Sequence, residues 1–95
     1  MTRLEEILIV TMEECGELTQ ACSKVIRSNG KKKYIKDLQD EIGDVMCMIE
    51  ILKMASLISD DQISERMEVK RNKLIKWSNI FNGEEKESIH SDSVR

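Results

Sequence analysis

Two short acidic stretches decide the fold of this chain: EECGELTQA at residues 13–21 and DEIGDV at residues 40–45. Each lies in a segment whose apolar residues recur every three to four positions, as in an amphipathic helix. The two apolar arcs contain Leu4, Ile7, Leu8, Val10, Leu18, Ala21, Cys22, Val25 and Ile26, and Ile35, Leu38, Ile42, Val45, Met46, Ile49 and Leu52. The pattern predicts two long helices with an acidic stretch near the middle of each.

Start and stop signals indicate three helices in all. We expect them at about residues 3–28, 34–57 and 59–82. Thr2 with Glu5, and Ser59 with Gln62, have the spacing of a capping box at a helix start. Asn29-Gly30 is typical of a left-handed helix stop. The first segment is long, and a break near its glycine is an open alternative.

The composition favours a single all-α domain. The 95 residues include no Pro and few Gly, with many good helix formers. Short connections predict an antiparallel helical hairpin followed by a third helix, over residues 1–83. Residues 84–95 lack apolar periodicity and are predicted to be a disordered polar tail. Because the chain has only three aromatic residues, its core would be thin, and we expect a second copy to complete a four-helix core.

The net charge and the lengths of the apolar runs argue against several classes of protein. The net charge of -3 argues against a dedicated nucleic-acid binder, although a local basic patch can still bind phosphate. No apolar run approaches the ~18 residues of a membrane span. Acidic residues follow Met1 too early for a signal peptide.

The cysteines argue for a reducing compartment and against zinc. Cys15, Cys22 and Cys47 are odd in number and lack CxxC spacing, and the only histidine is His90. We interpret the three cysteines as small buried hydrophobes. Without a secretion signal, they indicate a cytoplasmic location.

The acidic residues interrupt the apolar arcs. Around an ideal helix, Glu14 falls inside the first arc and Glu17 at its border, whereas Glu13 points towards solvent. On the second helix, Glu41 lies at the edge of the arc and Asp44 borders it. Each pair has i,i+3 spacing and so shares one helix face. If the helices pack antiparallel, the four carboxylates converge.

Converging carboxylates need a counter-charge. Buried acids must be paired, protonated or bound to a cation, and four together repel strongly. Oxygen ligands suit a hard cation such as Mg²⁺ or Mn²⁺. Di-iron bundles use Glu-x-x-His, and residues 1–89 contain no His. The alternative for each pair is an exposed helix face with salt bridges to Lys; two pairs on neighbouring helices favour the metal.

The third helix carries a basic stripe of Arg66, Lys70 and Lys73, and Trp77 continues the same face. These cations either face phosphates held by the metal or lie along the edge of the core with their charges in water. We expect Trp77 to belong to the core. The run of lysines at residues 31–33 is interpreted as a solvated loop rather than a ligand site.

Gly16 and Gly43 lie inside the two acidic stretches. Glycine inside a helix costs up to ~1 kcal/mol relative to alanine. Its presence at matching places in both helices therefore indicates a close approach of the helices or room for a ligand.

Together the two acidic stretches resemble the signature of the MazG-like, all-α nucleoside triphosphate pyrophosphohydrolases, which is EExxE, a spacer and ExxD. The matching residues are Glu13-Glu14-Cys15-Gly16-Glu17 and Glu41-Ile42-Gly43-Asp44, with a spacer of family-like length at residues 18–40. The resemblance covers about residues 1–80. Compact forms of this family occur in bacteria and phages, which implies the cytoplasm of a bacterium or of an infected host.

This resemblance implies an Mg²⁺-dependent hydrolase that cleaves a nucleoside triphosphate between the α and β phosphates. Its products would be a nucleoside monophosphate and pyrophosphate, and deoxynucleoside triphosphates are the first candidate substrates. The implied metal-binding and catalytic residues are Glu14, Glu17, Glu41 and Asp44. Lys70 and Lys73 are the counterparts of basic residues that contact phosphates in relatives. The resemblance also implies a bundle whose active site is completed by dimerisation, often in a tetramer.

The expected mechanism is metal-assisted attack of water on phosphorus, with Lys70 and Lys73 holding the leaving pyrophosphate. Two alternatives remain open from the sequence. One is a non-catalytic helical module that binds a partner helix through its apolar face. The other is a regulator that senses nucleotides without cleaving them.

Overall fold

The computed structural model describes residues 1–81, which form three α-helices. They are α1 (Arg3–Arg27), α2 (Lys32–Met54) and α3 (Asp60–Trp77), with no strand among the described residues. The all-α class is therefore confirmed. The chain divides into two compact units, Met1–Leu57 with α1 and α2, and a second unit that starts at Ile58 and contains α3. A single domain over residues 1–83 stays a prediction, and the tail predicted at residues 84–95 lies outside the described residues.

Helix α1 begins at the predicted capping box. The Oγ1 atom of Thr2 accepts a hydrogen bond from the backbone amide of Glu5 at 3.0 Å. In return, the Oε1 atom of Glu5 accepts one from the backbone amide of Thr2 at 2.8 Å. Hydrogen bonds from Thr2 to the Glu5 carboxylate, first from its backbone amide and second from its side chain, stabilise the charged form and lower the pKa of Glu5. The helix then continues through Gly16 to Arg27 without a break.

The turn between α1 and α2 is the predicted left-handed stop. Asn29 and Gly30 have φ values of 61° and 82°. The Gly30 amide donates to the Val25 carbonyl at 2.9 Å, as in a Schellman motif. The prediction of a loop at residues 31–33 is wrong in part, because Lys32 and Lys33 belong to the first turn of α2.

Helix α2 starts two residues earlier than expected because the Lys31 carbonyl already accepts hydrogen bonds from two amides. The donors are Tyr34 at 3.0 Å and Ile35 at 3.1 Å. The helix also ends three residues before the predicted position. Ser56 takes a left-handed conformation with a φ of 61°, which stops α2 at Met54 in a second Schellman-type turn.

Helices α1 and α2 pack as an antiparallel hairpin. Glu14 of α1 lies beside Asp44 of α2. One turn further along α1, Glu17 lies beside Glu41, which is one turn earlier in α2. The buried hydrophobic residues are Ile7, Ala21 and Met48. Two helices cover only a narrow strip of each other, so much of the predicted apolar arc stays accessible. Completion of a four-helix core by a second copy stays a prediction.

Helix α3 begins at Ser59, whose Oγ atom accepts a hydrogen bond from the Gln62 amide at 3.2 Å. It ends at Trp77, about five residues earlier than expected, because Ser78 is extended and its hydroxyl donates to the Leu74 carbonyl at 2.7 Å. The helix buries none of its residues. The placement of Trp77 in the core is wrong, since its side chain is 77% exposed.

Candidate metal centre

The structure brings together all four acidic residues that the sequence singled out. Glu14 and Glu17 project from adjacent turns of α1, and Glu41 and Asp44 from adjacent turns of α2. One carboxylate oxygen from each residue lies within 4.8 Å of the corresponding oxygens of the other three. The i,i+3 spacing within each helix and the antiparallel register between the helices together produce this cluster. We call these four residues the carboxylate cluster.

The cluster lies at the boundary between the helix interface and solvent. Glu14 and Glu41 are half-buried, whereas Glu17 and Asp44 are exposed. The Oε1 atom of Glu41 is buried and has no hydrogen-bond partner. A buried polar atom without a partner is costly, and this one points to a ligand that supplies the missing interaction.

The alternative of salt bridges to lysine is not found in the part of the chain that the structure describes. Ion pairs found there include those that join Lys36 to Asp40, Glu50 to Lys53 and Glu68 to Arg71. Among residues 1–81, no lysine or arginine forms an ion pair with a member of the carboxylate cluster. Within the described residues, the negative charges therefore have no counter-charge at contact distance.

Desolvation and the charges of neighbouring carboxylates raise the pKa of two members of the carboxylate cluster. Desolvation raises the pKa of Glu14 above the ordinary 4.5, and the nearby charges of Glu17 and Asp44 raise it further. Desolvation likewise raises the pKa of Glu41, followed by the charges of Glu17, Asp44 and Glu14. Both shifts have the sign expected for carboxyl groups that are desolvated and lie among other carboxylates. A divalent ion would remove the repulsion that causes part of them.

The donor set fits a hard divalent cation. All four candidate ligands are carboxylates, which supply the oxygen atoms that Mg²⁺ and Mn²⁺ prefer. A cavity of about 260 Å³ adjoins the cluster and is lined by Glu17, Gln20, Ala21, Lys24, Asp37, Asp40 and Glu41. A ligand can therefore approach two of the carboxylates from solvent.

The two glycines inside the acidic stretches do not mark a close approach of α1 and α2. A Cβ atom added at Gly16 or Gly43 would meet no heavy atom within 4 Å. The interpretation as a close helix approach is therefore wrong for the hairpin. Space for a ligand or for another chain is the interpretation that remains.

Lys70 and Lys73, the predicted phosphate-binding residues, are exposed on α3. Lys70 also lines a surface cavity of about 250 Å³ together with Met67, Arg71, Leu74 and Phe81. Their assignment to phosphate binding stays a prediction.

The three cysteines are free and exposed, so their interpretation as buried hydrophobes is wrong. Cys15 and Cys22 lie on α1 beyond the strip that α2 covers. Free thiols remain consistent with a reducing compartment, and the cytoplasmic location stays a prediction. Among residues 1–81, no helix combines the length and the apolar character that a bilayer crossing requires.

Comparisons with protein-family models, with curated proteins and with solved structures gave no match for this chain. The resemblance to the MazG-like pyrophosphohydrolases therefore rests on the residues of the two acidic stretches.

Proposed function

We propose that this protein is an Mg²⁺-dependent nucleoside triphosphate pyrophosphohydrolase. The single observation that supports this most strongly is the convergence of four carboxylates with the buried, unpartnered Oε1 atom of Glu41. Without a bound cation or bound protons, the repulsion within such a cluster destabilises the hairpin. The same four positions carry the ExxE and ExxD halves of the signature.

The carboxylate cluster would hold the metal, with Mg²⁺ or Mn²⁺ as the suitable ions. When bound, such an ion neutralises phosphate charge and activates water for attack on phosphorus. The reaction adds one water across the α–β phosphoanhydride bond and releases a nucleoside monophosphate and pyrophosphate. The chain's own contribution is to fix four oxygens on two rigid helices, where their positions do not depend on a flexible loop.

Exposed apolar side chains support an active site completed by a second copy. In the hairpin, Ile42 is 40% exposed and Met46 is 60% exposed, and both lie close to the cluster along α2. A chain that buries so few residues gains stability when another copy covers this surface. We propose a homodimer or a homotetramer of this chain. The basic stripe of α3, with Lys70 and Lys73, is the proposed source of phosphate contacts.

The decisive experiment measures pyrophosphate release from a panel of ribo- and deoxyribonucleoside triphosphates, with Mg²⁺ and with EDTA. We expect turnover only with Mg²⁺, and a loss of at least about a hundredfold in Glu41→Gln. Glu6→Gln is the matched control, since it removes the same charge from an exposed residue of α1 that lies outside both acidic stretches. Circular dichroism confirms that both variants keep their helices.

The other outcomes separate the competing functions. Mg²⁺-dependent nucleotide binding without any product identifies a nucleotide sensor. No binding and no product, together with capture of a partner helix, identifies an interaction module. Turnover that survives in Glu41→Gln rules out the carboxylate cluster as the catalytic centre.

A further inference from the structure

A basic cleft lies at the turn end of the hairpin, within the unit Met1–Leu57. Its volume is about 660 Å³, within the range of small-molecule sites. The cationic side chains that line it are Lys24 and Arg27 from the last turns of α1, and Lys31 and Lys33 from the start of α2. Asp37 is the one carboxylate in the lining. Positive charge is thus concentrated here in a chain of net charge -3.

The cations of the basic cleft are available for a ligand. Within residues 1–81, none of Lys24, Arg27, Lys31 and Lys33 takes part in an ion pair. Tyr34 is half-buried, and the Nζ atom of Lys33 lies 5.2 Å from the centroid of its ring. This cation–π contact holds one side of the cleft in place without neutralising its charge.

The backbone adds to the positive potential. Lys31 caps α2 without any side-chain hydrogen bond to the first amides, and the first turn of α2 contains no acidic residue. Most helices satisfy these amides with a Ser, Thr, Asp or Asn side chain. Here the positive end of the helix dipole opens beside the cleft, where it favours an anion.

We propose that the basic cleft binds a chain of phosphate groups. Several separated cations around an open cleft match an extended anion with several charges better than a single carboxylate, and Arg27 can contact phosphate oxygens in pairs. Such a chain occurs in inorganic oligophosphate, in the tail of a nucleotide and in a nucleic-acid backbone. The basic cleft shares Lys24 and Asp37 with the cavity beside the carboxylate cluster, but it contains no member of the cluster and needs no metal. Its binding can therefore be measured independently of the proposed function.

The test is calorimetric titration of the full-length protein with tripolyphosphate, in EDTA and at low ionic strength. Arg27→Gln and Lys31→Gln should each weaken binding about tenfold, the usual effect of losing one charge-assisted hydrogen bond. Lys32→Gln is the matched control, because it removes the same charge from the same turn but does not line the cleft. Added salt should weaken binding to the wild-type protein.

Parallel titrations with a nucleoside triphosphate and with a single-stranded oligonucleotide identify the source of the phosphate chain. Equal affinity for tripolyphosphate and the nucleotide assigns the site to the phosphates alone, and tighter oligonucleotide binding assigns it to a nucleic-acid backbone. The proposal is overturned if tripolyphosphate does not bind, or if Lys32→Gln weakens binding as much as Lys31→Gln. Because EDTA is present, failure here leaves the proposed hydrolysis untouched.

Discussion

Glu17 of α1 and Glu41 of α2 face each other across the hairpin, and the Oε1 atom of Glu41 is buried there without a hydrogen-bond partner. Both residues also line the cavity beside the cluster. Opposed carboxylates at a helix interface destabilise the hairpin whenever both are charged. Metal binding, proton binding and folding are therefore coupled at this point of the molecule, and each coupling can be measured.

Mg²⁺ or Mn²⁺ should raise the Tm of the wild-type protein in a concentration-dependent way. A ligand that binds only the folded state stabilises it by mass action, by about 2.7 kcal/mol at a hundred times its Kd. In Glu41→Gln this effect should be largely lost, whereas Glu6→Gln should retain it. The measurement is thermal unfolding by circular dichroism over a range of MgCl₂ or MnCl₂ concentrations. An equal response of all three proteins would show that the ions act elsewhere.

In the metal-free protein, Glu14 and Glu41 should contribute less to stability as the pH rises from below 4.5 to neutrality. The pKa values of Glu14 and Glu41 are raised in the folded state by desolvation and by their acidic neighbours. The folded state therefore holds these protons more tightly than the unfolded chain. Their contribution to stability is complete below the ordinary glutamate pKa of 4.5 and is lost as pH passes through the raised pKa.

Glu41→Gln isolates this pH effect from the titration of other groups. Its amide is neutral at every pH, so in EDTA the variant should match the wild-type Tm at acidic pH and exceed it at neutral pH. Glu6→Gln, which lies outside the cluster, should not show this gain at neutral pH. If Glu41→Gln is the less stable protein at neutral pH, the carboxylates do not repel as the structure indicates.

The carboxylate cluster could be predicted because helix geometry fixes it. The i,i+3 spacing puts Glu14 with Glu17 and Glu41 with Asp44 on single faces, and the left-handed stop at Asn29 sets the antiparallel register. Each step depends on local sequence only. The cap at Thr2 could be predicted for the same reason.

Features that depend on the surroundings could not be predicted in this way. Cys22 belongs to a wide apolar arc, but a single neighbouring helix covers only part of such an arc, so its thiol is exposed. Lys24 and Arg27 have an ordinary explanation in sequence, since cations are common in the last turn of a helix. Only the folded turn shows that they line a cleft together with Lys31.

Gly43→Ala should stabilise the protein by up to ~1 kcal/mol, because alanine is the better helix former and the added methyl group meets no atom within 4 Å. Gly30→Ala is the contrasting control, since its φ of +82° strains any L side chain, and it should destabilise by about 1 kcal/mol. Urea unfolding measures both changes. Destabilisation by Gly43→Ala would reveal a second chain packed against this glycine.

The protein should sediment as a dimer or tetramer, at two or four times the 11.0 kDa of the chain. Met46 is 60% exposed on α2 near the cluster, and a charge placed there would be buried without a partner in an assembled core. Met46→Glu should therefore dissociate the assembly and, if a second copy completes the site, reduce hydrolysis with it. Gln39→Glu adds the same charge at an exposed polar position of α2 and should leave the mass unchanged. Sedimentation velocity over a range of protein concentrations measures the mass of the assembly. A wild-type chain that stays monomeric at every concentration would contradict the proposed assembly.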